Sequence, residues 1–185
     1  NQDKFSNSIN TSYSNGNKLL STIKKVALAV GGISAIKGLF NLSDEMTNNK
    51  ARLNLIVDDG GSVEALQNKI FVSAMNARAS YQTTTDIITK LGLQAGKAFK
   101  GNDELIAFAE QLNKTFAISG TEATGIESTM YNLTQALSTG VLRGQDLNAV
   151  FSNAPQIVQN IADYLNVPIG KIRDMAADGK ISAQI

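Results

Sequence analysis

Three short stretches pair residue types that could do chemistry. Ser21-Thr22-Ile23-Lys24 has the Ser-x-x-Lys spacing in which a lysine one helical turn on can take the proton of an attacking serine hydroxyl. No Lys-Thr-Gly partner follows it downstream, so helix capping or simple surface exposure is the expected role. The run AGKAFKG, residues 95–101, sets lysines between glycines, but it lacks the glycine spacing of a phosphate-cradling loop and no strand pattern precedes it. Asp58-Asp59-Gly60 lacks the alternating oxygen ligands and terminal glutamate of a calcium hand, so it reads as a turn between helices. The chain has no histidine and no cysteine. That removes the commonest metal ligands, the commonest general base and every thiolate. No catalytic, cofactor-binding or metal-ligating residue is expected, and the chain does not read as an enzyme.

The charges nearly balance, 17 basic against 16 acidic, but they are unevenly placed. Residues 1–40 carry Lys4, Lys18, Lys24, Lys25 and Lys37 against Asp3, whereas residues 101–185 carry nine acids against five bases. Such polarity suits an oriented assembly component. Residues 1–17, NQDKFSNSINTSYSNGN, hold too little apolar surface to offset chain entropy and are expected to be a flexible polar segment. In residues 18–41, Leu19, Ile23, Val26, Val30, Ile33 and Phe40 recur in steps of four and three, with Lys37 at the missed position, which predicts a helix with a coiled-coil seam. Only eleven uncharged residues separate Lys25 from Lys37, short of the roughly 18–20 needed to cross a bilayer. The seam suits self-association or insertion at a membrane surface, and Gly31-Gly32 permits close approach.

From residue 42 onward the pattern is helical throughout. Ser43 is placed to cap a helix running through Leu53, Ile56 and Val57, and Asp58–Gly61 breaks it. Ser62 caps a longer element with an apolar face from Val63 to Leu91, about 43 Å if unbroken, whose weak point is the β-branched run TTTDII. Shorter helices follow: one from Asn102 closed by Gly120, one capped by Thr121 and closed by Gly140, a short one through Leu147, Val150 and Phe151, one opened by Pro155, and one opened by Pro168 and ended near Gly179. The predicted class is all-α: a compact multi-helix module of short helices with one or two longer ones, behind a disordered or extended N-terminus.

With the helices placed, residues 135–182 resemble the N-terminal region of phage tail tape measure proteins. The likeness rests on Gln135-Ala136-Leu137, the turn Gly140-Val141-Leu142-Arg143-Gly144, Ala154-Pro155, the segment Ile161 to Val167, and Asp178-Gly179-Lys180, in that order. Upstream, RLNLIVDDGGSVEALQNKIFVSAMNARASY resembles the family's entry segment, so the likeness spans Leu42 to Ile185. Asn166-Val167-Pro168 departs from the family's more usual Gly-Val at that turn. The resemblance implies a structural virion protein of the tail lumen, present in the host cytoplasm during assembly, which sets tail length and assists genome delivery. It also implies partners among the tube, distal tail or tip proteins and assembly chaperones, a homo-trimer, contact with the host membrane, and no cofactor or specific nucleic acid.

A helix advances 1.5 Å per residue, so residue count converts to length; even fully helical, this chain would reach only about 280 Å, and its prolines and glycine turns fold it back. The expectation is therefore a compact end module, a fragment joined to a rod beyond Ile185, with one continuous helix from Gly140 to Gly179 as the finding that would refute it. Arg143, with Gly144, Gln145 and Asp146, is the candidate docking corner. Arg143 either forms a salt bridge or helix-end contact or anchors a partner, and Gly144 is expected to hold a conformation that a side chain would strain. Two other readings stay open: a membrane-inserting segment at Leu19 to Phe40 active at infection, and a helix-turn-helix across Asn166–Pro168 with Lys171 and Arg173 reaching DNA. The second is disfavoured because Pro155 to Ile185 carries three acids against three bases.

Overall fold

Helix ends in the computed structural model, which describes residues 47–185, fall where local chemistry stops the chain. Seven α-helices have both ends among these residues: α1 Val63–Ala77, α2 Tyr81–Ala95, α3 Asn102–Ser119, α4 Ala123–Thr139, α5 Gly144–Asn153, α6 Pro155–Leu165 and α7 Ile169–Ala177, with a 3-10 turn at Gly96–Ala98. No strand forms among the described residues; an isolated antiparallel bridge joins Val141 to Ser182. The all-α class is as predicted. The polar segment 1–17 and the seam residues Leu19, Ile23, Val26, Val30, Ile33 and Phe40 lie outside the described residues.

The described chain divides between Asn68 and Lys69 into two compact units. In the first, a helical segment at 47–53 stops earlier than its apolar period suggests: Ile56 and Val57 lie in a turn, their amides donating to the Leu53 carbonyl at 3.1 and 3.0 Å. Gly60 sits at φ +78°, so the Asp58–Gly61 break is a true left-handed turn. Ser62 caps α1 as predicted, its Oγ accepting from the Ala65 amide at 3.0 Å. Lys50 and Glu64 pair at 2.6 Å, and that hydrogen bond holds the Glu64 carboxyl below its ordinary value.

In the second unit, four helices close in the same way. Arg78, Gly120, Asn166 and Gly179 take left-handed φ of 54°, 61°, 54° and 69°. The next amide in each case, from Ala79, Thr121, Val167 and Lys180, reaches back to the carbonyl of Ala74, Phe116, Ala162 and Met175 at 2.8–3.0 Å. These are Schellman closures, which satisfy carbonyls that the helix itself leaves open. The closure at Arg78 overturns one expectation, because the break between α1 and α2 falls at Arg78–Ser80 and not in TTTDII. Ser80 caps α2, its Oγ accepting from the Thr83 amide at 2.9 Å. Three of the four threonines inside α2 are fully buried and donate backward to carbonyls one turn up: Thr84 to Ser80 at 2.9 Å, Thr85 to Tyr81 at 2.8 Å and Thr89 to Thr85 at 2.8 Å. Burial with satisfied hydroxyls outweighs their poor intrinsic propensity.

Helix α2 packs against both α3 and α4, while α5, α6 and α7 pack on one another; α4–α5 and α3–α6 contacts join the two groups. The shared core holds Ile88, Leu91, Leu112, Leu147, Val150, Val158 and Ile172, each at most 2 % exposed. Pro155 opens α6 at a first-turn position, where its missing N–H costs nothing. Between Gly140 and Gly179 the chain is broken into three helices, so the refuting continuous helix is absent from this span.

Candidate functional site

The Gly140–Asp146 corner is built by a glycine, a backbone tie and a helix start. Gly140 ends α4 at φ +84°, a conformation that suits residues without a Cβ. The chain then runs extended beside its own C-terminal segment: the Leu142 amide donates to the Ile181 carbonyl at 2.8 Å, and the Ala183 amide to the Gly140 carbonyl at 2.9 Å. Leu142 and Ile181 are buried under this tie. Period-two alternation therefore turns Arg143 outward. Arg143 is exposed, caps α5 through its backbone with a carbonyl accepting from the Leu147 amide at 2.9 Å, and its guanidinium has no hydrogen bond or ion pair among the described residues. The salt bridge weighed for it does not form among the described residues.

Gly144 does not hold a strained conformation. It is the first residue of α5 with an ordinary φ, and a Cβ added there would meet the Ala177 backbone at 3.8 Å, normal van der Waals contact. Gln145 is exposed and Asp146 half-buried in the first turn, where its charge complements the helix N-terminus. The four candidate residues thus share one corner by chain continuity, with Arg143 and Gln145 presenting their side chains to solvent.

The basic residues of the helix-turn-helix candidate are engaged within the protein. The Arg173 guanidinium lies 4.3 Å from the Phe151 ring centroid and donates to Asn148 Oδ1 at 3.0 Å, clamping α7 to α5. Lys171 pairs with Asp174 at 3.5 Å, and Lys180 with Asp178 at 2.8 Å. The Lys180 hydrogen bond lowers the Asp178 carboxyl and is matched by a raised Lys180 ammonium.

A second feature escaped sequence reading. Thr121 was expected to cap α4, but the N-cap is Glu122, without a side-chain bond, and the Thr121 hydroxyl donates to the Asn153 carbonyl at the end of α5. Gly125 lets α4 approach closely there, since a Cβ would fall 2.7 Å from Asn153 Oδ1. The result is an open polar groove lined by Ser119, Thr121, Glu122, Ser128 and Asn153. Residues 25 to 34 positions apart build it, and no local pattern announces such a pairing.

The family model described as "Tape measure protein" matches residues 37–185. The chain belongs to the tape measure protein family. No curated protein and no solved structure matches it significantly. As a tape measure chain it is a structural component of the phage tail and associates with other tail components. Among its described residues, no helix is long and apolar enough to cross a membrane.

Proposed function

We propose that this tape measure chain acts in tail assembly and length determination as a folded terminus, with residues 42–185 docking an elongated helical gauge onto a neighbouring tail protein through the Arg143 corner. The observation that carries the reading is the exposed Arg143 guanidinium, unpaired among the described residues, on a backbone pinned by the Leu142–Ile181 and Ala183–Gly140 hydrogen bonds. The backbone beneath it is already ordered, so binding fixes only the side chain, and arginine is among the residues that most often anchor interfaces. Length itself resides in helical rise along the gauge, so the corner governs whether tails start, not how long they grow.

The test is a phage carrying Arg143→Ala or Arg143→Glu. Tail yield is expected to fall, more steeply for Glu, while the tails that form keep normal length in electron micrographs. Normal yield with both variants would overturn the reading. The seam Leu19, Ile23, Val26, Val30, Ile33 and Phe40 supports a further role in joining copies, three to a tail, or in touching the host membrane during genome delivery. Leakage of anionic liposomes on addition of a peptide spanning residues 18–41 tests the membrane role, and intact vesicles would remove it.

A further inference from the structure

Chain connectivity sets the two ends of α3 about 27 Å apart, and the surface at each end complements the other. At the N-terminal end stands the loop 96–101. It carries Lys97 and Lys100, exposed and with side chains unpaired among the described residues, next to Leu93, an apolar residue 52 % exposed in the last turn of α2. Lys90, one turn earlier, adds a third cation. At the C-terminal end lies the groove between α4 and the end of α5, with a volume of about 480 Å³. Its lining is acceptor-rich: the Glu122 carboxylate, serine and threonine hydroxyls and Asn153. Glu127, exposed one turn further along α4, adds a second carboxylate, and neither acid has an ion-pair partner among the described residues. Ile118, 79 % exposed in the last turn of α3, places an apolar residue beside it.

Among the described residues, the loop end keeps two unpaired cations, Lys97 and Lys100, beside one carboxylate, Glu104, which accepts from the Lys100 amide at 2.6 Å; the groove end carries the two unpaired carboxylates, and each end has one exposed aliphatic side chain. We propose that copies of this chain associate head to tail, the Lys97–Lys100 loop of one seated in the Glu122 groove of the next. Lysine ammoniums supply three donors each and no acceptor, which suits a groove of carboxylate and hydroxyl oxygens. Like-charged ends repel, so loop meets groove and not loop. Because the two patches differ, the contact is heterologous: it closes into a ring or extends into a row. Exposed ion pairs contribute little each and are screened by salt, so the association is weak and strengthens at low ionic strength.

Zero-length carbodiimide coupling of the full 185-residue chain, as a mixture of isotopically light and heavy protein at low salt, tests this. Counting only light–heavy products excludes coupling within one molecule, which the packing of the 96–98 turn against α4 would allow. The expected result is light–heavy cross-links between these lysines and these glutamates. Sedimentation at low salt should show Lys97→Glu/Lys100→Glu and Glu122→Lys/Glu127→Lys each as a monomer, and association should return when the two variants are mixed. Both variants leave Arg143 in place, so tail docking is read separately. Cross-linked dimers joined only at other positions, a monomer at every concentration by sedimentation, or association indifferent to charge reversal would each overturn the proposal.

Discussion

The Asn113 amide of α3 donates to the Thr84 hydroxyl of α2 at 2.9 Å, with both residues buried. Thr84 passes the proton direction on, its own hydroxyl donating to the Ser80 carbonyl at 2.9 Å, so one hydroxyl links the cap of α2 to its partner helix. Removing the acceptor costs more than removing a mean hydrogen bond, because the amide then stays buried without a partner. Thr84→Val is expected to destabilise by about 1–3 kcal/mol and Asn113→Ala by about 1–2 kcal/mol. Urea unfolding of both and of the double variant should show them coupled; simple additivity would mean the bond is not formed in solution.

Gly140 and Gly144 flank Arg143 but differ in what they require. Gly140→Ala places a Cβ at φ +84° and should cost about 1–2 kcal/mol. Gly144→Ala meets only ordinary contact with Ala177 at a helical position, and should be neutral or stabilising by up to about 1 kcal/mol. Melting temperatures that move in opposite directions check the pair. An equal loss from both would contradict the helical assignment of Gly144.

Much of this architecture was legible because glycine and proline mark helix ends without help from the rest of the fold. Gly120, Gly140, Pro155 and the Gly179 region stopped or started helices where expected. Arg78 did not announce its turn, because an arginine in the left-handed region is set by the Schellman closure and the packing around it, not by its own preference. Threonines on the buried face of α2 hid part of the core, since a hydroxyl that bonds to its own helix backbone counts as polar in sequence and as filled volume in space. The outward turn of Arg143 comes from the pairing of buried Leu142 with Ile181, about 40 positions on, which residue order alone does not show. The Thr121–Asn153 contact, 32 positions long, had no local signature.

The C-terminal tie rests on one side chain. Ile181 is 2 % exposed and its carbonyl accepts from Leu142. Ile181→Ala should cost about 2–5 kcal/mol and loosen the Arg143 corner. Hydrogen exchange at the Leu142 and Ala183 amides is the direct measurement: both should speed up well before α2 amides do. Unchanged protection would show that the backbone pairing holds without the buried isoleucine.

Glu110 gives the fold a readable acid response. Its carboxylate pairs with Lys114 at 2.7 Å one turn away in α3, and Asn76 of α1 donates to it at 3.4 Å. The Lys114 hydrogen bond is the largest cause holding its pKa below the ordinary 4.5, against a smaller opposing push from burial. A carboxyl with a folded value below its unfolded one stabilises the fold above the unfolded value, and that contribution fades as pH falls below 4.5 through the folded value. Glu110→Gln cannot ionise, so its stability should fall less steeply than wild type below pH 4.5, with the gap between the two greatest near neutral pH. Chemical denaturation at several pH values between neutral and 3 measures this, and parallel curves for the two proteins would show that the Lys114 pair does not persist in solution. Because Asn76 belongs to α1 and Gln keeps an acceptor oxygen, Glu110→Ala, which removes the acceptor as well as the charge, should speed amide exchange in the last turns of α1 relative to α2 more than Glu110→Gln does.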